Sequence, residues 1–327
     1  MSFTRLLPEK DDDDDDDDDN NNNQTGLSSG TGVIVKDVVP RSMNDINDCS
    51  CICSCCPTVS DWCIKDALGL SCGVATWIFY AYAEFVFVFV ILTTKSFSSL
   101  FYFMNFLIFH CLQFLAISSH LRTMFSNPGA VPLKNATSEN LRKYEHGATV
   151  YRCAMCQSIK PPRAHHCSIC KRCIKRMDHH CVFVNNCVGQ NNQKYFILFT
   201  LYTSILSVYG LVIIGIHLTR CISSNWDDCP VWPPPISIIL AISLGLEGLA
   251  FSTFALIMFF SQLYSIYTDT NQIESFKRVS NLRREEKSFI ESLKIVFGSQ
   301  IGLTWLNPFS VPIDVITQND ERITFDV

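Results

Sequence analysis

Four long stretches of mainly apolar residues dominate the hydrophobic pattern of the chain. They cover residues 67–92, 97–121, 195–218 and 236–263. Each is longer than the ~20 residues that a helix needs to cross the hydrocarbon core of a bilayer. One such stretch could be the buried helix of a soluble domain, but four in one chain predict four transmembrane helices.

Positively charged residues divide the connecting segments into two groups. Segment 122–194 contains twelve Lys and Arg and segment 264–327 contains seven, whereas the short loop after the first span and loop 219–235 contain one each. Because these residues favour the cytosolic side of a membrane, we expect both termini and segment 122–194 to be cytosolic. Cys221 and Cys229 then lie on the opposite, oxidising side, where they could form a disulfide.

The first 60 residues differ in composition from the rest of the chain. Nine consecutive aspartates, at positions 11–19, precede four asparagines and a stretch rich in Ser, Gly and Thr. Like charges repel each other and such a segment buries no apolar core, so we expect residues 1–60 to be a disordered cytosolic tail. These nine charges exceed the net charge of −5, which leaves the remainder of the chain net positive.

A group of cysteines stands just before the first span. Its members are Cys49, Cys51, Cys53, Cys55, Cys56 and Cys63. Their spacing fits a metal site poorly, and juxtamembrane cysteines are common sites of lipidation. We favour lipidation over metal binding, and the absence of any role remains the third interpretation.

Cysteine and histidine are concentrated in residues 153–187. This segment holds seven of the 17 cysteines, and Cys-x2-Cys pairs (zinc knuckles) recur at 153/156, 167/170 and 170/173. A structural zinc ion is closed by four thiolate or imidazole ligands, so two ions would take six of these cysteines and two histidines. The remaining thiol, beside an imidazole and a carboxylate, would be an activated nucleophile. Counting alone does not say which cysteine remains.

A resemblance to a known family resolves this ambiguity. The segment contains Asp178-His179-His180-Cys181, then Asn185-Asn186-Cys187-Val188-Gly189 and Asn191-Asn192-Gln193-Lys194-Tyr195-Phe196. This pattern resembles the DHHC family of protein S-acyltransferases over the cysteine-rich domain and its flanking spans. The resemblance implies an all-α polytopic membrane protein, with four transmembrane helices and a cytosolic zinc-stabilised domain between helices 2 and 3.

The expected domains follow from the apolar stretches and this resemblance together. They are the tail 1–60, transmembrane helices 1 and 2 in 67–121, the cysteine-rich zinc domain in 122–194, transmembrane helices 3 and 4 in 195–263, and a cytosolic C-terminal tail in 264–327.

The resemblance also implies two structural zinc ions and roles for individual residues. Asp178 orients His179, His179 takes the proton of Cys181, and the thiolate accepts a long-chain acyl group, typically palmitoyl, from acyl-CoA. The acyl group then passes to cysteines of membrane-associated substrate proteins. The implied zinc ligands are Cys153, Cys156, His166 and Cys173 for one ion, and Cys167, Cys170, His180 and Cys187 for the other.

Three short segments depart from the family pattern. Asn127-Pro128-Gly129 stands where the family has Asp-Pro-Gly, and Val182-Phe183 stands where many members have Pro-Trp. In Thr270-Asn271-Gln272-Ile273-Glu274 only the glutamate of the family's Thr-Thr-x-Glu motif matches cleanly. We expect activity to survive, because Phe183 keeps an aromatic ring after the tetrad.

Two sets of residues are candidates for binding acyl-CoA. Lys171, Arg172, Lys175 and Arg176 supply positive charge for its phosphates beside the tetrad, although a solvated or lipid-facing patch is an equally good interpretation. Leu206 lies eleven residues into the third span, which is ~16 Å along a helix. A sixteen-carbon chain reaches about that depth, so we expect Leu206 to contact it.

The C-terminal tail carries three further signals. Apolar residues recur with helical spacing over 271–297, with basic residues between them, which predicts an amphipathic helix on the cytosolic leaflet. Val296-Phe297-Gly298 and Trp305-Leu306-Asn307-Pro308-Phe309 resemble the C-terminal signature of the Golgi-specific DHHC zinc-finger proteins, which implies a Golgi membrane and a tail that packs against the bundle. The last residues, Phe325-Asp326-Val327, fit a PDZ ligand. No nucleic-acid partner is expected.

Polar residues inside the spans leave alternative functions open. They are Glu84, Asn105, His110, Gln113 and Glu247. Ionisable groups within a membrane suggest function, but they serve equally well as internal hydrogen-bonding partners. A transporter is therefore one alternative to the enzyme, and a non-catalytic, membrane-anchored zinc module that recruits partners is the other.

Overall fold

Four long helices correspond to the four apolar stretches. The computed structural model describes residues 25–27, 33–38, 64–229, 231–276 and 288–312. Its helices are α1 (Ala67–Val86, continued by the π-helical turn Phe87–Ile91), α2 (Ser99–Phe125), the short α3 (Ser138–Leu141), α4 (Gln193–Ser223), α5 (Pro234–Thr268), α6 (Gln272–Phe276) and α7 (Phe289–Phe297). Helices α1, α2, α4 and α5 are long and apolar enough to cross a membrane, so the prediction of four such helices is confirmed.

Local sequence explains where the long helices begin and end. The carboxylate of Asp66 accepts a hydrogen bond from Gly69 N at 2.7 Å, and Ser98 Oγ accepts one from Phe101 N at 3.2 Å. These side chains satisfy N–H groups that have no partner within the first turn. Helix α5 begins with proline, which lacks an N–H, and its C-cap is Asp269, where φ is 46°.

Helix α4 is the central element of the bundle. In the most apolar part of α4, 61% is buried inside the protein, compared with 39% for α1 and 22% for both α2 and α5. Helices α2 and α5 both pack along it. Residues on α4 are therefore the best placed to line any cavity between the helices.

A disulfide and a hydrogen bond stabilise the loops at one end of the bundle. Cys221 and Cys229 form the disulfide that the sequence allowed. Trp232 Nε1 donates a hydrogen bond of 2.9 Å to the carbonyl oxygen of Phe89, which lies in the π-helical turn of α1. These links hold the α4–α5 connection against the end of α1.

Four of the five polar residues singled out in the spans make hydrogen bonds within the helix bundle. Gln113 Nε2 donates to Glu84 Oε2 at 2.7 Å, and His110 Nε2 lies 3.1 Å from Glu84 Oε1. Tyr209 OH donates to Asn105 Oδ1 at 2.5 Å. These contacts favour the interpretation of internal hydrogen bonding over transport.

Short strands build the cysteine-rich domain. Strands β1 (Thr25–Leu27), β2 (Ile34–Val38), β3 (Thr149–Cys153) and β4 (Ser158–Ile159) form one sheet in that order. Two hairpins follow, β5 (His165–Cys167) with β6 (Arg172–Ile174), and β7 (His179–Cys181) with β8 (Asn186–Val188).

The prediction of a disordered tail over residues 1–60 is wrong for two segments, β1 and β2. Strand β2 pairs in parallel with β3. Val33 and Val35 are buried in a small core beneath it, and Arg152 donates hydrogen bonds of 2.5 and 2.6 Å to the carboxylate of Asp37. A run of β-branched residues outweighs the polar composition around it. The aspartate run and the cysteines at 49–63 lie outside the described residues.

The prediction of one amphipathic helix over 271–297 is also wrong. Helix α7 has an N-terminus of its own, where Ser288 is extended and forms a capping box with Glu291. Such a box satisfies the N–H groups at a helix start, so it favours a separate helix. The basic residues of the predicted helix, at 277–287, lie outside the described residues, as do 313–327 with the PDZ-like C-terminus.

The segment after α7 packs back onto α4. The Phe297 and Trp305 rings stack with centroids 5.3 Å apart. Lys194 Nζ, which is buried, donates to Thr304 O at 2.8 Å and to Ser310 Oγ at 2.6 Å. The C-terminal segment thus covers the start of α4, next to the cysteine-rich domain.

Candidate active site and zinc sites

The first predicted ligand set converges on one point. His166 Nδ1 lies 3.6 Å from Cys153 Sγ, 3.2 Å from Cys156 Sγ and 4.0 Å from Cys173 Sγ. A tetrahedral zinc ion with Zn–S near 2.3 Å and Zn–N near 2.0 Å places its ligand atoms roughly 3.5–3.8 Å apart. The four residues therefore fit one structural zinc ion.

The second predicted set has the same geometry. His180 Nδ1 lies 3.7 Å from Cys167 Sγ, 3.4 Å from Cys170 Sγ and 3.6 Å from Cys187 Sγ. All four ligand atoms lie within 4.8 Å of one another, and the cysteines are buried. Three thiols and one imidazole again match the donor set that zinc prefers.

Hairpin register explains this convergence. Residues directly opposite in an antiparallel pair have side chains on the same face of the ladder. His166 lies opposite Cys173 in β5–β6, and His180 lies opposite Cys187 in β7–β8. Each hairpin therefore supplies two ligands of one set, and a Cys-x2-Cys knuckle supplies the other two.

The alternation of side chains along a strand separates Cys181 from the metal ligands. Successive side chains of a strand point to opposite faces, so His180 faces its cluster while His179 and Cys181 share the other face of β7. Cys181 belongs to neither ligand cluster and is 6% exposed. It packs instead in the hydrophobic cluster of the helix bundle, with Phe196 and Leu206.

The carboxylate of Asp178 accepts hydrogen bonds from three groups. His179 Nδ1 lies 2.8 Å from Oδ2, Gln262 Nε2 donates to Oδ2 at 2.6 Å, and the backbone N of Gln272 donates to Oδ1 at 2.9 Å. Burial acts to raise the pKa of Asp178, but these donors hold it below its usual range. Asp178 is therefore a fixed carboxylate.

Asp178 binds Nδ1 of His179, which leaves Nε2 available for chemistry. Burial acts to lower the pKa of this imidazole, but the bond to Asp178 and the nearby Cys181 thiol raise the pKa of His179 to about 9. Its Nε2 is buried and has no hydrogen-bond partner among the described residues. Phe196 packs edge-on against the imidazole, with centroids 5.2 Å apart. A base oriented by a carboxylate, on the same strand face as a thiol, is the arrangement of a nucleophilic enzyme.

A largely apolar pocket opens between α1, α4 and α5. It contains about 510 Å³ of empty space, part of it open to the surroundings. Leu206 lines this pocket, as do Tyr80 and Thr203, whose hydroxyl oxygens are 2.8 Å apart. Glu247 also lines it, unlike the other polar residues singled out in the spans.

The four basic residues beside the tetrad have different environments. Arg176 Nη2 donates to Asp269 Oδ1 at 2.5 Å, so its charge is paired with an acid at the end of α5. Lys171 is exposed, whereas Arg172 and Lys175 are partly exposed. All four side chains are at least partly exposed beside the tetrad.

Arg163, which the sequence analysis did not single out, joins the cysteine-rich domain to the end of α5. Its guanidinium donates to both carboxylate oxygens of Glu274, at 2.8 and 2.9 Å, and to Asp269 Oδ1 at 2.9 Å. Glu274 is the residue of the Thr-Thr-x-Glu motif that this chain retains. The ion pair between Arg163 and Glu274 holds the segment that carries Gln272 next to Asp178.

Known proteins are similar to this chain in sequence. The family model described as DHHC palmitoyltransferase matches residues 149–279. Palmitoyltransferase ZDHHC3 from Homo sapiens is 45% identical over 258 residues, which cover 78% of this chain and 86% of the relative. Palmitoyltransferase ZDHHC7 from Mus musculus is 45% identical over 251 residues, covering 76% and 80%. The chain belongs to the DHHC palmitoyltransferase family. Palmitoyltransferase ZDHHC21 from Homo sapiens is 34% identical over 209 residues, covering 62% and 75%.

Within this DHHC chain, sequence reasoning missed Gln262 and Gln272 as well as Arg163. Gln262 is a polar residue near the end of an apolar stretch, and that position was the available signal. Gln272 contacts Asp178 through its backbone, so its side chain gave no indication. Arg163 is one of many basic residues in its segment, and only the fold reveals its acidic partners.

Proposed function

We propose that this chain is a protein S-palmitoyltransferase that carries the acyl group on Cys181, with His179 as the base and Asp178 as the residue that orients it. One observation supports this most strongly. Cys181 is the thiol of the cysteine-rich segment that joins neither metal cluster, and it shares a strand face with an imidazole bonded to a buried carboxylate.

In the first half-reaction, His179 Nε2 takes the proton of the Cys181 thiol. The thiolate attacks the carbonyl carbon of acyl-CoA, and the bond from that carbon to the CoA sulfur breaks. The CoA thiolate leaves and takes up the proton from His179. The bond to Asp178 and the nearby Cys181 sulfur raise the pKa of His179, which favours the imidazolium formed in this step.

In the second half-reaction, the acyl group moves to a cysteine of a membrane-associated protein. His179 removes the proton of the incoming thiol, whose sulfur attacks the Cys181 thioester. Cys181 leaves as a thiolate and is protonated again by His179. Thioester exchange is nearly balanced, so a thiol suits the intermediate better than a hydroxyl.

The pocket between α1, α4 and α5 is the proposed site for the acyl chain. Cys181 packs in the same hydrophobic cluster as Tyr80 and Leu206, which line this pocket. An apolar chain gains by leaving water for such a lining. Lys171, Arg172, Lys175 and Arg176 are the proposed contacts for the phosphates of CoA, outside the membrane.

Zinc, when bound by the two clusters, provides structural cross-links in a domain with few apolar residues to bury. The first cluster joins β3 to the β5–β6 hairpin, and the second joins that hairpin to β7–β8. His180 and Cys187 thereby hold the strand that presents His179 and Cys181 on its other face.

We place the cysteine-rich domain and both termini on the cytosolic side, within a Golgi membrane. The distribution of Lys and Arg supports the orientation. The disulfide between Cys221 and Cys229 agrees with an oxidising environment at the opposite end of the bundle. The Golgi location is supported by the C-terminal signature around Trp305. Fluorescence microscopy of the tagged chain against Golgi markers tests it.

Acyl transfer by purified protein tests the proposed function. The chain in lipid nanodiscs is incubated with radiolabelled palmitoyl-CoA and a myristoylated peptide that has one cysteine. We expect label on the protein and on the peptide, both released by hydroxylamine, and neither in Cys181→Ser. Transfer to the peptide by Cys181→Ser would overturn the proposal.

A further inference from the structure

A side chain from the membrane bundle contacts the carboxylate of Asp178. Gln262 lies on α5 and is fully buried. Its Nε2 donates to Asp178 Oδ2 at 2.6 Å, across 84 residues of sequence. The same oxygen accepts from His179 Nδ1 at 2.8 Å. One carboxylate oxygen is thus shared between the imidazole and the glutamine amide.

A second glutamine fixes the orientation of this amide. Gln193 Nε2 lies 3.2 Å from Gln262 Oε1. A carboxylate only accepts hydrogen bonds, so Gln262 must turn its NH₂ group to Asp178 and its oxygen to the donor of Gln193. Both ends of the Gln262 amide are therefore matched, which restricts its rotation.

The remaining contacts of Asp178 show what Gln262 adds. The backbone N of Gln272 holds Oδ1, and the backbone N of Asp178 donates to Val188 O at 2.9 Å. These fix the main chain and one oxygen. The donor of Gln262 fixes the other oxygen, which sets the plane of the carboxylate and hence the direction of His179.

We propose that Gln262 is a positioning residue for the acyl transfer reaction: it holds the Asp178 carboxylate in the orientation that aims His179 at Cys181, and Gln193 in turn holds Gln262. This inference rests on the proposed function, because it assigns Gln262 a role through the same Asp178 and His179. Among the described residues the side chain of Gln262 hydrogen bonds to Asp178 and Gln193, so its proposed effect on Cys181 is indirect.

Gln262→Met tests the role, because methionine keeps the length of the side chain and removes the donor. The readout is the single-turnover rate of Cys181 acylation by palmitoyl-CoA in nanodiscs, with zinc content measured on the same sample. We expect about a tenfold slower rate, the order that one hydrogen bond to a charged group contributes. The palmitoyl-CoA concentration for half-maximal rate should not change.

Gln113→Met is the matched control. Gln113 is also a buried amide in a membrane helix that donates to a carboxylate, that of Glu84. It makes no contact with Asp178 in the described residues. If Gln113→Met slows acylation as much as Gln262→Met, the effect is a general loss of bundle stability and the inference fails.

A double-mutant cycle separates positioning from a purely structural role. In an Asp178→Ala background, Gln262→Met should cause no further loss of rate, because the group through which it acts is absent. An equal loss in both backgrounds would overturn the inference. If Gln262→Met does not fold, Gln193→Met takes its place in the cycle, with an expected smaller loss that also disappears without Asp178.

The outcomes distinguish this inference from the proposed function. If the wild-type chain acquires no acyl group on Cys181, the proposed function fails. If the wild type is acylated and Gln262→Met matches it, only the role of Gln262 fails.

Discussion

The tripeptide His-His-Cys occurs twice in the cysteine-rich domain, as strand β5 and as strand β7. In both strands the middle histidine, His166 or His180, belongs to a metal cluster. The cysteines differ, because Cys167 is a member of the second cluster whereas Cys181 is a member of neither. The same three residues thus serve structure in one strand and, by our proposal, catalysis in the other.

The surroundings of the two strands explain this difference. Cys167 begins a knuckle with Cys170 and packs in the small core of the zinc domain, whereas Cys181 packs in the core of the helix bundle. Asp178 precedes β7, and Ala164 stands in the same place before β5. Cys167 is a metal-ligand candidate because a second cysteine follows it three residues later. His179 is the candidate base because the buried carboxylate of Asp178 precedes its strand.

Removal of the structural cysteine should have the largest effect. Cys167→Ser breaks the second cluster, so we expect at least one zinc ion to be lost per chain and the domain to unfold. A structural zinc site contributes on the order of 10–16 kcal/mol of apparent binding free energy. Elemental analysis and limited proteolysis measure this. Cys181→Ser is the matched control and should retain both ions; a Cys167→Ser chain with full zinc would contradict the ligand assignment.

Removal of the base should have the next largest effect, on rate alone. His179→Ala should slow Cys181 acylation by ~10²–10⁴-fold, the usual contribution of a positioned general base. His165→Ala, the equivalent change in β5, should cost far less, because no carboxylate precedes that strand. Stopped-time labelling with palmitoyl-CoA compares the two rates. If His179→Ala and His165→Ala slow acylation equally, His179 is not distinguished as the base and the proposed difference between β7 and β5 is wrong.

The sequence predicted most residues of the candidate site, but few of the contacts that hold those residues in place. The spacing and the family resemblance together predicted the two Cys/His sets that the fold brings together, and the four spans. They did not identify the parallel pairing of β2 with β3, because the partners are over 100 residues apart and a polar tail surrounds the short strand. They also missed Arg163 and Gln262, whose roles depend on acids from distant elements.

The two helices α6 and α7 illustrate a second limit of sequence reasoning. Apolar spacing alone extended one helix across both, although Ser288 and Glu291 have the spacing of a capping box. A new helix start within one periodic pattern is visible only if the caps are weighed together with the period.

Removal of the orienting carboxylate should have an intermediate effect. Asp178→Ala leaves His179 in place as a base but removes the partner of its Nδ1. We expect a smaller loss of acylation rate than in His179→Ala, with both zinc ions retained. Combining the two changes should add little, because both act on one imidazole. If the rate losses of the two single variants multiply in the double variant, Asp178 does not act through His179 and the proposed pairing is wrong.

A change in the pocket should have the smallest effect on rate. Leu206→Phe places a bulkier side chain in the proposed acyl pocket, so the preference should shift from palmitoyl-CoA towards shorter acyl-CoAs. Ile205→Phe is the matched control, because Ile205 is 43% exposed and does not line the pocket. Competition between acyl-CoAs of different length measures the shift. An identical chain-length profile in both variants would place the acyl chain elsewhere.

The contrast between Cys167 and Cys181 is tested most directly by native mass spectrometry followed by peptide mapping. The chain is incubated with palmitoyl-CoA, weighed with its metals bound, and then digested to locate the hydroxylamine-labile acyl group. We predict one palmitoyl group on Cys181 together with two zinc ions on the same molecule. An acyl group on Cys167, acylation confined to the cysteines at 49–56, or the loss of a zinc ion when Cys181 is acylated would contradict the account.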